Sequence, residues 1–141
     1  EMFDVMSLLE GFCASEACQK MTSNNFARLE KLHAKLEENF ERHDQEEYIR
    51  INNQYHSLVQ EIAGNRTLNQ IVDGLRKKIL LYRFQSLNLP ERFASSIREH
   101  RDLLEAFRQR NHPRAEALMR EHLQNQSQAL GTLVEQSKIQ T

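Results

Sequence analysis

Two histidines stand where a helical stripe would ordinarily carry leucine. In the stretch Phe93, Ile97, His100, Leu104 and Phe107 the apolar side chains recur at steps of three and four, and His100 takes the central place. His122 does the same in the stripe Ala115, Leu118, His122 and Ala129. A chain break at Asn111 lies eleven residues from each. Two antiparallel helices joined there, rising ~1.5 Å per residue, bring both imidazoles to one height, facing the interior. The triplet Arg-Glu-His is spelled at both places, 98–100 and 120–122. Its glutamates, Glu99 and Glu121, are turned about 100° from their histidines and are expected to be exposed or ion-paired, outside the site. Asn52 and His56 add a third contribution, because residues four apart lie one above the other on a helix face. Three inward histidines and an amide have the composition of a metal site. Imidazole suits Zn²⁺, Ni²⁺, Co²⁺ or Cu²⁺, and three protein nitrogens leave positions open for water or for a ligand's oxygens. The plainer alternative is that each histidine is a core residue hydrogen-bonded to a carbonyl or carboxylate; the convergence of three favours the metal. His33, His43 and His112 are expected to serve packing or to face solvent.

The elements that must position these residues are helices throughout. Only four glycines and two prolines occur, and Leu, Glu, Gln, Arg, Lys and Ala predominate, so the class is all-α. A first helix is predicted from about Met2 to Met21 on the stripe Met2, Met6, Leu9, Cys13 and Ala17. Thr22, Ser23 and Asn24 offer caps to a second, with Leu29, Leu32, Leu36 and Phe40, ending near His43-Asp44. A third carries Tyr48, Ile51, Tyr55, Leu58 and Ile62 and stops at Gly64, a natural left-handed terminus. The fourth is expected to place Leu68, Ile71, Val72, Leu75, Ile79 and Tyr82 on one face. Asn88-Leu89-Pro90 and Asn111-His112-Pro113 set off the fifth and sixth. Connections this short make successive helices antiparallel neighbours.

At 141 residues one domain spanning the whole chain is expected. A net charge of −1, with both signs interleaved, lacks the dense basic stripe that binds nucleic acid. No apolar run approaches the ~20 residues of a membrane span, so no membrane partner is expected and the location expected is the cytoplasm. Cys13 and Cys18 are read as reduced packing residues. The opening Glu1-Met2-Phe3 leads straight into a helix, as in a segment cut from a longer protein.

In order, Asn52-x-x-Tyr55-His56 with Ala63-Gly64-Asn65 beyond it, Glu99-His100-x-x-Leu103-Leu104-x-Ala106, Arg110-Asn111-x-x-x-Ala115 and Met119-x-x-His122-Leu123 resemble the C-terminal effector-binding domain of GntR-type transcription regulators of the FadR branch, the FCD domain. Leu9-Glu10 and Ala17 fit its opening pattern, and the resemblance covers essentially the whole chain. It implies an antiparallel bundle of six or seven helices that senses a small molecule, usually a carboxylate, as a homodimer. The signal passes to an N-terminal winged helix-turn-helix that would lie upstream of Glu1, so that DNA is contacted only through that missing module. Members commonly hold a divalent metal with an Asp and three His. By position, His56, His100 and His122 take the histidine places and Asn52 the Asp place, where an amide oxygen coordinates without bringing charge. Zinc is the first expectation, with nickel or another divalent transition metal as alternatives. Met6 stands where an Arg often precedes the Leu-Glu pair. That leaves Arg83 and Arg76 of the fourth helix as candidate effector-binding residues, Arg83 nearer the buried stripe; their plain alternative is solvent-facing charge.

Two other readings compete. Di-metal helical enzymes use paired Glu-x-x-His motifs, and here Glu30-x-x-His33 has no partner. A mononuclear hydrolase needs a general base, and no acid is expected at an inward position beside the histidines, so an enzyme is not expected. A metal-free helical interaction module is the third reading.

Overall fold

The computed structural model describes residues 1–139, which form six α-helices and no strand: α1 (Met2–Lys20), α2 (Ser23–Glu41), α3 (Gln45–Ala63), α4 (Arg66–Leu87), α5 (Pro90–Arg108) and α6 (His112–Ile139). Each boundary has a local cause. The first backbone N–H groups of a helix lack intrahelical acceptors, and a short polar side chain supplies one. Thr22 Oγ1 accepts from the Asn25 N–H at 3.1 Å, Asp44 from Glu47 at 3.1 Å, Asn65 from Leu68 at 3.0 Å and Asn111 from Arg114 at 3.1 Å. Gly64 closes α3 at φ 71°, the left-handed conformation that costs glycine least. Pro90 opens α5, where its missing N–H is no loss.

The short turns fold the helices back and forth into an antiparallel bundle. α1 packs chiefly on α6 and α3, α2 on α3 and α5, and α5 on α6, while α4 lies against α1, α3, α5 and α6. The approach of α1 to α6 is very close at Gly11, where a Cβ would come within 2.4 Å of Arg120 Cγ and 3.3 Å of the Glu116 carbonyl oxygen. Ser7 Oγ donates across the same seam to the Arg120 carbonyl at 3.1 Å. Cys13 and Cys18 are both free and buried. No described helix is long and apolar enough to cross a membrane.

The fourth helix departs from the predicted stripe. Ile71 is 50% and Tyr82 44% exposed, and the buried line is Leu68, Val72, Arg76, Ile79, Arg83, Ser86 and Leu87. α4 carries apolar residues nearly all round, so hydrophobicity does not select its inner face. The two arginines do, because each finds polar partners inside the bundle. Met2, placed on the inner stripe of α1 by its spacing, is the first residue of that helix and is also partly exposed.

Candidate metal centre

Four helix faces meet at the histidines. α3 brings Asn52 and His56, α5 brings His100, α6 brings His122, and α1 backs them with Glu10. All five are almost wholly buried. The imidazole centroids are 5.6 Å apart for His56 and His100, 5.4 Å for His56 and His122, and 4.9 Å for His100 and His122. One nitrogen from each ring lies within 4.8 Å of those of the other two, and among the described residues this is the group able to hold a metal ion.

Hydrogen bonds fix which nitrogens are free. The His56 Nδ1–H donates to Glu10 Oε1 at 3.0 Å, leaving Nε2 as a lone-pair nitrogen, buried and without a partner. His122 Nδ1 lies 2.6 Å from Glu99 Oε1 and 3.4 Å from Arg92 Nη2. A ring nitrogen cannot donate to the one and accept from the other, and the shorter contact decides that Nδ1–H donates to Glu99 and Nε2 carries the lone pair. His100 Nε2 sits 2.6 Å from Asn52 Oδ1, while its Nδ1 has no partner. Burial pushes the pKa of His56 down to about 3, against the opposing pull of Glu10, and that of His100 well below its ordinary value; His122 is also lowered by burial, which Glu99 opposes. Imidazoles that remain neutral in the core are the form a metal requires. Carboxylates behind two of the three rings are the arrangement that orients metal-ligating histidines. The residues present therefore fit a divalent metal.

Two carboxylates in this arrangement escape a reading by spacing. Glu10 is 2% exposed and is the inward acid not expected beside the histidines. It accepts from Arg76 as well as His56. Burial raises its pKa, but Arg76 and His56 outweigh that and hold the carboxyl well below the usual range. Since His56 is neutral near pH 7, the charge that keeps Glu10 ionised is that of Arg76. Its signal lay in the stripe Met6, Glu10, Cys13 and Ala17, where it interrupts the apolar series as His100 interrupts its own. Glu99, expected to be exposed or ion-paired outside the site, is ion-paired with Arg92 but borders the site. A turn of about 100° from His100 aims it at α6, where it accepts from His122 and from Asn125 Nδ2 at 2.8 Å, and on its own helix it accepts from Arg92 Nη1 at 2.9 Å. Burial opposes these donors, yet its pKa falls to about 2. Glu121 is exposed as expected.

Both candidate arginines point inward, against the solvent-facing alternative. Arg76 is occupied by Glu10 and by Ser57 Oγ at 3.3 Å. Arg83, 2% exposed, has only neutral partners: Nη1 donates to Asn53 Oδ1 at 3.0 Å and Nε to Gln126 Oε1 at 3.4 Å, while Nη2 has none. Burial lowers its pKa to about 10, which leaves it cationic at neutral pH. A void of about 10 Å³ lies against Arg83, Asn52, His122, Arg92, Ser96 and Gln126, room for roughly one water. Three larger surface grooves, about 640 to 830 Å³, touch none of the three histidines. The remaining histidines stay apart from the cluster: His33 Nε2 lies 3.0 Å from Glu37, His43 forms a left-handed turn, and His112 is 3.4 Å from Ser15 Oγ.

The family model of the FCD domain matches residues 1–125. The fold is similar to that of E. coli McbR/YncC, with a TM-score of 0.85 at 18% identity over 94% of this chain and 67% of that one. It is also similar to Streptococcus agalactiae GntR, with a TM-score of 0.76 at 22% identity over 88% of this chain and 55% of that one. No curated protein matches the sequence.

Proposed function

Because the chain belongs to the FCD domain family, we propose that it is the ligand-sensing domain of a GntR-type transcription regulator, holding a divalent transition metal on Asn52, His56, His100 and His122 and receiving a small carboxylate effector beside it. The observation that carries this reading is the buried, unpartnered Nε2 of His56, facing two other neutral imidazoles while Glu10 and Glu99 secure the far sides of the rings. An unpaired polar atom in a core costs stability, and a metal ion offsets that cost. Zinc fits the donor set best, with nickel next; when bound, it supplies a Lewis-acidic centre with open positions for a carboxylate oxygen. The chain's own residues do the rest: Glu10 and Glu99 set the tautomers of His56 and His122, the hydrogen bond between His100 Nε2 and Asn52 Oδ1 is given up so that both residues would serve as ligands, and Arg83 offers an unsatisfied N–H to an anion.

Effector binding shifts an equilibrium between arrangements of the full-length protein only by as much as its affinity differs between them. The chain spans 67% and 55% of the two similar structures, and DNA contact is assigned to a winged helix-turn-helix preceding the sensor. Exposed Val5, Leu8 and Phe12 on α1 and Leu80, Leu81 and Phe84 on α4 support a homodimer built on those helices. The enzyme reading is disfavoured because Glu10 sits on the Nδ1 side of His56, away from the nitrogen that faces the other rings, and so is not placed to act on a metal-bound substrate.

Elemental analysis of the purified protein, with thermal unfolding before and after chelation, tests the metal. About one transition metal per chain is expected, lost together with stability on chelation and absent in His100→Ala. Metal-free protein whose unfolding ignores both chelator and substitution would overturn the assignment.

A further inference from the structure

The charges enclosed by the bundle do not balance. Buried Arg76 is offset by Glu10 and buried Arg92 by Glu99. Arg83 has no anion in contact; its partners are the amide oxygens of Asn53 and Gln126. The four proposed ligands are all neutral, because position 52 is Asn and the histidines are uncharged at neutral pH. A divalent metal would thus enter with both its charges unmatched and would share the interior with the lone guanidinium of Arg83. Unpaired buried charge is among the most expensive features a core can hold.

The geometry of Arg83 indicates what offsets it. Its Nε and Nη2 form one edge of the guanidinium, the edge suited to a bidentate carboxylate. On that edge Nη2 has no partner and Nε has only a long contact of 3.4 Å to Gln126. The same small void is lined by Arg83, by Asn52 and His122, and by Arg92, which is already paired with Glu99, so the two cationic stations are close neighbours. Resting on the metal reading above, we infer that the effector is a compact dianion, one anionic group on the metal and the second on the Nε and Nη2 edge of Arg83. The void has room for about one water, so the ligand gains its space by displacing Gln126, whose amide oxygen now stands where a carboxylate oxygen would sit. A monocarboxylate satisfies one station and leaves the other bare. Short dicarboxylates and hydrogen phosphate share the required chemistry.

The test is binding of paired probes to the zinc-loaded protein by calorimetry, with metal content measured in each complex: acetate and propionate against malonate and succinate, and inorganic phosphate as a separate arm. A dianion is expected to bind about tenfold or more tighter than its monoanionic counterpart, the scale of one charge-assisted contact. Arg83→Gln, which retains a hydrogen-bonding amide, is expected to erase that preference while the metal stays bound. Asn52→Asp, which adds one negative charge, is expected to narrow it. Phosphate binding alone also supports the inference and assigns the source to an inorganic oxyanion. Equal binding of monoanions and dianions would overturn the inference and leave the metal sensor standing. No anion binding to a metal-loaded protein would overturn both this inference and the effector half of the reading, and a protein that takes up no zinc, as elemental analysis would show, would overturn the metal reading and the inference with it.

Discussion

The Nδ1–H of His56 donates to Glu10, and Glu10 also takes the guanidinium of Arg76, so a carboxylate on α1 binds a ring on α3 to a cation on α4. Attraction between such groups only repays their desolvation when all are present. Glu10→Gln retains a carbonyl for the His56 N–H but leaves Arg76 as a buried charge with no anion in contact. It should lower the unfolding free energy by about 3–5 kcal/mol, and adding Arg76→Met should return a substantial part of it. Urea unfolding of the two single variants and the double variant checks this, and strictly additive losses would contradict the coupling. His100 and His122 were legible in the sequence because each breaks an apolar stripe at helical spacing, Asn52 and His56 because they lie four apart on one helix face, and the resemblance pointed to the same four. Glu10 broke its own stripe in the same way. The stripe that spacing favours runs through its neighbour Leu9, which turns Glu10 aside, and only the arrival of Arg76 and His56 from other helices repays its burial. Nothing local to α1 announces either partner.

At the scale of helices, the boundaries were legible because caps are local chemistry: Thr22, Asn65, Gly64, Pro90 and Asn111 each act within a few residues of themselves. The inner face of α4 was not, since Ile71, Leu80, Leu81, Tyr82 and Phe84 surround it with apolar groups and its orientation follows from what Arg76 and Arg83 meet in the bundle. The α1–α6 seam is likewise invisible to spacing. Gly11 is there because Arg120 Cγ and the Glu116 carbonyl leave no room for a Cβ. Alanine is the better helix former by about 1 kcal/mol, but overpacking costs about 1–3 kcal/mol, and the clash is with the base of the Arg120 side chain, not its mobile end. Gly11→Ala should therefore be destabilising by about 1–2 kcal/mol. Gly74→Ala in α4, where a Cβ meets nothing within 4 Å, should instead stabilise by up to about 1 kcal/mol. Thermal unfolding of the pair decides it, and a stabilising Gly11→Ala would mean that the two helices can part without loss.

The molecule encloses four imidazoles, the three of the cluster and that of His33, whose pKa values lie below those of the unfolded chain, and Glu10 and Glu99 are shifted the same way. Because every shift is downward, the unfolded chain binds more protons than the folded one in each titration range, and stability rises with pH there. The histidines contribute in full above their unfolded value of about 6.5. Their contribution is lost as pH falls from there toward the folded values, about 3 for His56. Glu99 and Glu10 add to the loss below the unfolded glutamate range, down to about 2 for Glu99. The metal-free protein should thus unfold at a nearly constant urea midpoint above pH 7, lose stability steadily from pH 6.5 to 4.5, and lose it more steeply below. Protons and metal compete for the same nitrogens, so zinc should raise the midpoint strongly at pH 7 and progressively less toward pH 5. A midpoint flat from pH 7 to 5 without metal would mean that the three rings are not kept neutral by burial. The same bundle would then lack the preformed donor set on which metal and effector both depend.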